Sequence, residues 1–397
     1  MTAQIPGTYD QPLITRAFVL AAFATLALNL SNFLFIHFPG YLQRLGAEEG
    51  EIGRIMATQP LGAILAWPLA GRAMDIYGRR IVILAGCSLF VGVIVLYLYI
   101  TSLGPFVYAV RLLDGVAATM WYAALFTHAA DLVPVQRRTE GLAIFGASGL
   151  VTIGLGAQFG DVILAYANYR ALFLGALGFA VLGLALCWVL RDVPLTYGDG
   201  GRPSRGVFAA AAQPNLLPVW SAAFAFFVSL GALFFFLKTF IATADVGSVG
   251  GFFTAYAVIA VALRVFVGWL PDRLGTRRML GIAMLCYLLG FLVLSFARTP
   301  MHVLAAGLLC GAGHGYTYPV LFSLVVERAA LRERGAAMAF YTAVDWLGLL
   351  VAGPVVGYVI QLGGYSVAFM GIALTLGVGI GLFYRLDRPT APALGRE

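Results

Sequence analysis

The chain has 397 residues, of which 61% are hydrophobic and only 11% are charged, and its mean hydropathy is +0.91. This composition excludes a water-soluble globular protein, because most of the side chains need a non-aqueous solvent. The formal charge of +7 reflects membrane topology and contact with anionic lipid, so it does not indicate a nucleic-acid partner.

Apolar stretches long enough to cross about 30 Å of hydrocarbon recur along the whole chain. They cover residues 16–38, 52–71, 81–101, 105–127, 141–163, 170–190, 214–241, 248–270, 279–297, 301–325, 336–361 and 366–385. The sequence therefore predicts an all-α membrane protein with twelve crossings. An even number of crossings places both termini on the same side of the membrane.

Positive charges are unequally divided between the two sides that these crossings define. If the termini are cytoplasmic, 18 of the 25 Lys and Arg residues face the cytoplasm and 5 lie toward the other side, while Arg111 and Arg264 are embedded in spans. The positive-inside rule then predicts a multi-pass protein of a bacterial-type inner membrane with both termini cytoplasmic. The first fifteen residues lack a basic cluster before a short apolar core, so we interpret them as a cytoplasmic lead-in.

A short motif of glycines, arginines and one carboxylate follows the second span and returns 197 residues later. The first copy is Gly71, Asp75, Gly78, Arg79 and Arg80, and the second is Gly268, Asp272, Gly275 and Arg277. The glycines permit a tight reversal, and each carboxylate can cap a neighbouring helix or pair with the loop arginines. We expect a weaker charge network in the second copy, where Thr276 replaces Arg79.

Helix four contains two opposite charges, Arg111 and Asp114, at positions i and i+3. Residues at this spacing share one helix face and reach each other. A charge in the middle of a membrane helix costs about 2.5–3.5 kcal/mol, so these groups must pair, line a wet cavity, or do both. The pair is a candidate for proton coupling and, alternatively, a fixed structural salt bridge.

A polar, glycine-containing stretch at residues 193–213 separates the chain into two parts. We predict an N-terminal six-helix bundle at 1–192, a cytoplasmic linker at 193–213 and a C-terminal six-helix bundle at 214–397. Gly115 and Gly311 are 196 residues apart, as are Asp131 and Glu327, so the repeat extends beyond the loop motif. Parallel halves of this kind place a substrate site between them near the bilayer midplane.

The second half contributes two further titratable candidates, His314 and Asp345. Asp345 has no charged neighbour on its own helix, and burial would favour its protonated form, as a proton carrier requires. The alternatives are a neutral carboxyl held by hydrogen bonds between helices and an interaction with a helix end. His314 lies in a glycine-rich run ending at Pro319, and an imidazole titrates near neutral pH. A packed histidine bonded to a neighbouring carbonyl is the alternative there.

Polar and aromatic side chains at intermediate depth are candidates for lining the cavity, although each is also a candidate for ordinary packing between helices. They are Asn29, Asn32, His37, Gln59, Trp121, Tyr122, Lys238, Tyr316 and Tyr318. Gln158 and Asp161, at the end of the fifth span, are expected to add polarity at its outer mouth.

The duplicated loop motif resembles the signature that the major facilitator superfamily of secondary transporters carries after its second and eighth helices. The resemblance implies the major facilitator fold, two six-helix bundles related by pseudo-two-fold symmetry, and it assigns the motif to conformational gating. The run from Arg111 to Gly115 resembles a helix-four motif of proton-driven exporters in this superfamily, with Asp114 where they carry a neutral group. The run from His314 to Pro319 resembles a subgroup of arabinose-efflux-like permeases and opine-metallophore exporters.

These features predict a secondary transporter that moves a small organic solute by alternating access as a proton-coupled exporter. The alternatives are a uniporter or a proton-symport importer of a small metabolite and, from another class, a non-transporting membrane sensor. We expect the partners to be the solute, protons and membrane lipid, with the chain acting as a monomer.

Catalytic, metal-binding and redox functions have no support in the sequence. The run Gly146 to Gly149 contains Ser148, but no histidine matches it in a hydrolase motif, and no His-Glu-x-x-His occurs. Cys87, Cys187, Cys286 and Cys310 lie singly in four apolar spans, which is typical of packing residues. We therefore predict neither an enzyme nor a cofactor or metal.

Overall fold

A computed structural model describes residues 15–134, 137–191, 207–330 and 333–387. All the regular secondary structure in these ranges is helical, as the all-α prediction requires. The predicted linker at 193–213 falls largely outside the described residues, with a short helix at Val207–Ala211 inside them.

Twelve long helices correspond to the twelve predicted crossings. They are α1 Arg16–Arg44, α2 Glu49–Tyr77, α3 Arg79–Tyr97, α4 Pro105–Leu132, α5 Arg138–Tyr166, α6 Tyr169–Val189, α7 Leu217–Ala244, α8 Val249–Phe266, α9 Thr276–Ser295, α10 Pro300–Arg328, and α11 and α12, which are the two parts of Arg334–Leu386. A 3-10 turn at Phe35–His37 interrupts α1, and Gly364 (φ 80°) separates α11 from α12.

Several helices run past the apolar stretches that predicted them. Apolar residues mark the hydrocarbon thickness, but a helix continues into the interfacial layer, so α2 covers Glu49–Tyr77 where the apolar stretch covers 52–71. Nine described segments are long and apolar enough to cross a membrane, with Arg334–Leu386 counted once. The other two crossings, α2 and α10, have 29 residues each.

The sequence repeat appears in the structure as the same helix contacts in both halves. A Cβ atom at Gly115 of α4 would overlap the backbone carbonyl of Gln59 on α2, and one at Gly311 of α10 would overlap that of Tyr256 on α8. Gln59 and Tyr256 are themselves 197 residues apart. The duplication therefore preserves the close approach of the second and fourth helices, which small residues make possible.

The two halves pack against each other through α2 with α11 and α5 with α8. Gly53 lies against the carbonyl of Gly353, and Gly154 lies against Ala257 and Phe253. These contacts are at the end of the bundle opposite the residues where α1 begins and α12 ends. We call this region, which includes the C-terminal ends of α1, α5, α7 and α11 and the N-terminal ends of α2 and α8, the sealed end.

Large apolar side chains cover the outward face of the bundle. Phe23 is 58% exposed, Leu374 69% and Val378 52%. Burying a side chain of this kind contributes about 1.5–3 kcal/mol relative to leaving it in water, so these exposures are stable only where lipid is the solvent.

The glycine contact between α2 and α4 is testable. We expect Gly115→Ala to lower the stability of the purified protein in detergent by about 1–3 kcal/mol, because its methyl group forces the two helices apart. Thermal unfolding followed by tryptophan fluorescence measures the change. Gly92→Ala on α3 is the matched control, since nothing lies within 4 Å of its added carbon. Equal unfolding temperatures for the two variants would contradict the proposed close packing.

Candidate functional site

The duplicated loop motif forms the junction between α2 and α3 and its counterpart before α9. Gly78 has φ 84° and Gly275 has φ 80°, a backbone conformation that glycine adopts without steric penalty. Each glycine immediately precedes a helix, so the reversal fixes where the arginines of the next helix begin.

The arginines of the motif bind the far ends of other helices in the same half. Arg79 Nε lies 2.6 Å from Oδ2 of Asp131 at the end of α4. Arg80 donates to the carbonyl of Leu190, and Arg277 donates to the carbonyl of Asp387 at 3.1 Å. Leu190 and Asp387 are 197 residues apart, so the motif fastens the start of the third helix to the end of the sixth in both halves.

The two motif carboxylates do not form the helix caps or the pairs with loop arginines that their position in the motif suggested. Asp75 and Asp272 are exposed and form no hydrogen bond or ion pair with another described residue. Arg79 pairs with Asp131 instead, because the end of α4 lies beside the start of α3.

Arg111 and Asp114 form a buried ion pair in the first half. Nη1 of Arg111 lies 2.9 Å from Oδ2 of Asp114, and the two residues are 1% and 2% exposed. Tyr97 of α3 donates its hydroxyl to the same Oδ2 at 2.9 Å. Nη2 of Arg111 donates to the carbonyl of Met56 and to the side-chain oxygen of Gln59, both on α2.

This ion pair joins α2, α3 and α4. The ring of Phe38 from α1 lies over the guanidinium, with 5.7 Å from Cζ to the ring centroid. Nε of Arg111 and Oδ1 of Asp114 have no hydrogen-bond partner in the described part of the chain. Because both side chains of the pair are buried, the structure favours a fixed structural salt bridge over a role in proton coupling.

Asp345 is also an ionisable residue within a membrane span, but it is not paired as Arg111 and Asp114 are. It is half-buried on α11 and forms no hydrogen bond or ion pair with another described residue. It lies close enough to Tyr122, Tyr318 and Tyr341 to interact electrostatically with each. Tyr122 comes from α4 of the other half and is 47% exposed, although its neighbour Trp121 is 1% exposed. Tyr122 is therefore accessible, although it interacts with a carboxyl group of the opposite half.

His314 is packed inside the second half. Its Nδ1 is hydrogen-bonded to the hydroxyl of Tyr256, and the ring of Phe226 lies 5.3 Å away. This contact joins α8 to α10. Tyr256 is the repeat equivalent of Gln59, whereas His314 corresponds to Ala118 and not to Arg111. A packed histidine is thus the arrangement present, with a tyrosine hydroxyl as its partner where the sequence suggested a carbonyl.

The remaining cavity candidates divide by position. Tyr318 and Tyr122 lie near Asp345, and Asn32 and Gln59 are half-buried, whereas Asn29, Trp121 and Tyr316 are buried. The hydroxyl of Tyr316 shares a hydrogen bond between the carbonyls of Leu263 and Val267, so it caps the C-terminal end of α8. His37 and Lys238 lie at the sealed end, outside the group around Asp345.

The sealed end contains a polar cluster around Asp161 of α5. Oδ2 of Asp161 accepts a hydrogen bond from the backbone N–H of Gly250 at the start of α8, at 2.6 Å. Oδ1 lies 4.0 Å from Nζ of Lys238 and 3.7 Å from Nδ1 of His37. The Nε2 atom of His37 is 3.0 Å from the carbonyl oxygen of Ala157. A carboxylate of the first half is therefore bound by donors of the second half.

A second set of carboxylates crosses the sealed end at the start of α2. Glu49 accepts from Thr239 of α7 and Tyr365 of α12, and Glu48 accepts from Gln361. Glu48 and Glu49 were not among the residues predicted from the sequence. The repeat could have indicated them, because Gly53 and Gly250 are 197 residues apart and each lies near the start of a helix that packs against the other half.

Metal and thiol chemistry have little support in the structure. The described ranges hold no group of three or more His, Cys, Asp or Glu side chains placed to bind a metal. Cys87 and Cys187, which the sequence treats as isolated, approach to 3.9 Å between sulfurs and are both buried free thiols. Their proximity follows from the packing of α3 against α6.

Comparisons with known proteins identify relatives along almost the whole chain. The family model of the Major Facilitator Superfamily matches residues 17–249 and 219–397. The MFS-type transporter YhhS of Escherichia coli (strain K12) is 25% identical in an alignment of 405 residues that covers 94% of this chain and 91% of that protein. YhhS of Salmonella typhimurium is 27% identical over 391 residues, covering 95% and 92%.

Solved structures share the fold at low identity. The nucleoside transporter NupG has a TM-score of 0.79 and 12% identity, covering 95% of this chain and 100% of that one. A bacterial homolog of the human lysosomal transporter Spinster, inward-facing and unoccupied, has a TM-score of 0.77 and 14% identity, covering 97% and 100%.

The ion pair on α4 predicts a specific double-mutant result. We expect Arg111→Met and Asp114→Leu each to destabilise the purified protein by about 3–5 kcal/mol, because each leaves one buried charge without its partner. The double variant should lose less than either single variant. Thermal unfolding in detergent measures all three.

The same cycle on Arg79 and Asp131 provides the control. That pair is partly exposed, so its coupling energy should be about 1 kcal/mol or less. Additive losses at Arg111 and Asp114 would contradict a fixed buried ion pair.

Proposed function

We propose, because the chain belongs to the Major Facilitator Superfamily, that it moves a small organic solute across a bacterial inner membrane by alternating access. We further propose that it is a proton-coupled exporter. The observation that carries the proposal is that Asp345 and the exposed Tyr122, which belong to opposite halves, interact electrostatically. We infer from it a cleft between the halves, which pack together at the sealed end.

The proposed cycle exchanges one closed end for the other by rocking residues 1–192 against 214–397. Opening the sealed end requires Asp161 and Glu49 to leave their donors on α7, α8 and α12. Charge-assisted hydrogen bonds contribute about 1.5–3 kcal/mol each, the same scale as the gap between conformations of a switching protein. The exposed Asp75 and Asp272 would gain partners when the opposite end closes.

The distribution of arginines supports an orientation for this cycle. Arg79, Arg80 and Arg328 lie at the end of the bundle away from the seal, together with the first described residue of α1. The positive-inside rule places that end in the cytoplasm. The arrangement described here would then be open to the cytoplasm and sealed toward the outside.

We assign proton binding to Asp345, the embedded carboxylate without a partner among the described residues. A proton moved through about 100 mV yields about 2.3 kcal/mol, enough for about a forty-fold concentration ratio. The run from Arg111 to Gly115, which resembles that of proton-driven exporters, supports the direction of transport. The buried pair within it would hold α2, α3 and α4 as one unit while the halves move.

Alternating access predicts that fixing the sealed end stops transport. Gln43 of α1 and Thr243 of α7 are hydrogen-bonded across it at 3.2 Å. We expect Gln43→Cys with Thr243→Cys, joined by a short bifunctional thiol reagent, to lose solute flux in proteoliposomes and to regain it on reduction. The background carries Cys286→Ala, since the other three native cysteines are buried.

Each single cysteine variant, treated with the same reagent, is the control and should keep its flux. Unchanged flux through a fully cross-linked protein would rule out movement at the sealed end.

Proton coupling predicts a selective loss at Asp345. With a solute found by a thermal-shift screen, we expect an imposed pH gradient to drive accumulation by the wild type and not by Asp345→Asn. Asp245→Asn is the matched control, because Asp245 is exposed and its left-handed backbone (φ 53°) suits asparagine.

Wild-type flux that ignores the gradient would instead indicate a uniporter. Accumulation in the same direction as proton flow would indicate an importer.

A further inference from the structure

The carboxylate of Asp345 has an aromatic environment that comes from both halves. Tyr122 belongs to α4, Tyr318 to α10 and Tyr341 to α11. The rings of Tyr318 and Tyr341 are 6.0 Å apart, and Phe227 of α7 contacts both, at 6.2 Å and 5.5 Å between centroids. A carboxyl group thus lies beside a continuous group of aromatic rings.

No described cation pairs with Asp345. The guanidinium of Arg264 interacts electrostatically with Tyr318, and its Nε donates to the carbonyl of Gly315 at 2.9 Å. His314, one helical turn from Tyr318, is bonded to Tyr256. Among the described residues, the titratable groups that interact with Asp345 are therefore Tyr122 and Tyr318 from neighbouring helices and Tyr341 from its own.

We propose that the cleft takes a small organic cation, a protonated amine or a quaternary ammonium, with its charge on Asp345 and its substituents against Tyr122 and Tyr318. This inference rests on the proposed transport function. The faces of tyrosine rings attract a cation, and a carboxylate in a low-dielectric site adds a Coulomb attraction that a neutral solute lacks. An anion of the same shape would be repelled.

One carboxylate then serves two ligands. Protonated Asp345 releases its proton when the cation binds, and one positive charge replaces another. Solute and proton cannot occupy the site together, so each cycle exchanges one for the other with no net movement of charge. A cationic solute would therefore be driven by the pH difference and not by the membrane potential that a neutral solute could also use. The scheme needs no second titratable group. This agrees with the structure, in which His314 is hydrogen-bonded to Tyr256 and Arg111 is paired with Asp114.

The test uses full-length protein in detergent and three probes of similar shape. They are benzyltrimethylammonium, its uncharged carbon isostere neopentylbenzene, and the anion phenylacetate. We expect the wild type to bind the cation at least tenfold more tightly than either other probe, to release about one proton per cation in weak buffer, and to bind more weakly as the pH falls. Tryptophan fluorescence and calorimetry report binding.

Variants separate charge from aromatic contact. Asp345→Asn should lose at least tenfold in affinity for the cation and release no proton. Tyr122→Leu should lose severalfold, whereas Tyr122→Phe, which keeps the ring, should bind like the wild type. Asp245→Asn should match the wild type in every measurement.

Several results would overturn the inference. These are no binding of the cation at millimolar concentration, equal binding of the uncharged isostere, or unchanged affinity in Asp345→Asn. Preference for phenylacetate that disappears in Arg264→Gln would show that the site reads an anion.

Flux measurements distinguish this inference from the proposed function. Cation binding at Asp345 without any flux would leave the site intact and refute transport, while flux confined to neutral or anionic solutes would refute the site and leave transport intact.

Discussion

The inability of lipid to solvate charge governs how this chain uses its few ionisable residues. Arg111 and Asp114 satisfy the constraint by pairing with each other and with Tyr97, enclosed at 1% and 2% exposure. Asp345 satisfies it by standing at a cleft, half-buried and without a described partner. At the sealed end, Asp161 and Glu49 take N–H and O–H donors from the opposite half. We propose that the three arrangements correspond to three roles, which are structural cohesion for the buried pair, ligand exchange for Asp345 and closure for the sealed end.

Duplication supplies the scaffold on which these roles are distributed. Gly115 and Gly311 allow the same helix approach, and Arg80 and Arg277 fasten corresponding helix ends. The polar contacts differ, however: Gln59 meets Arg111 in one half, whereas its repeat equivalent Tyr256 meets His314, which occupies a different repeat position from Arg111. The backbone contacts have stayed alike because packing tolerates little change, whereas the polar partners of the second helix have changed in both residue and position.

Sequence patterns were sufficient for the fold because length and apolarity define membrane helices, and a spacing of 197 residues defines the two halves. The partner of Arg111 followed from the i, i+3 spacing for the same local reason. Contacts between residues of distant helices could not be predicted from the sequence. Arg79 chooses Asp131 over Asp75, and Asp161 chooses the N–H of Gly250, because of helix placement that no local pattern encodes. His37 and Lys238 were selected as polar residues within spans, but their depth placed them at the seal.

The carboxylate contacts of the seal run in one direction. Glu48, Glu49 and Asp161 all belong to the first half, and the groups that donate to them, Gln361, Tyr365, Thr239 and Gly250, belong to the second. A dimer of two identical six-helix chains would present each such contact twice, once in each sense. The two halves of this chain are therefore no longer interchangeable at this interface, because the first supplies the carboxylates and the second supplies their donors.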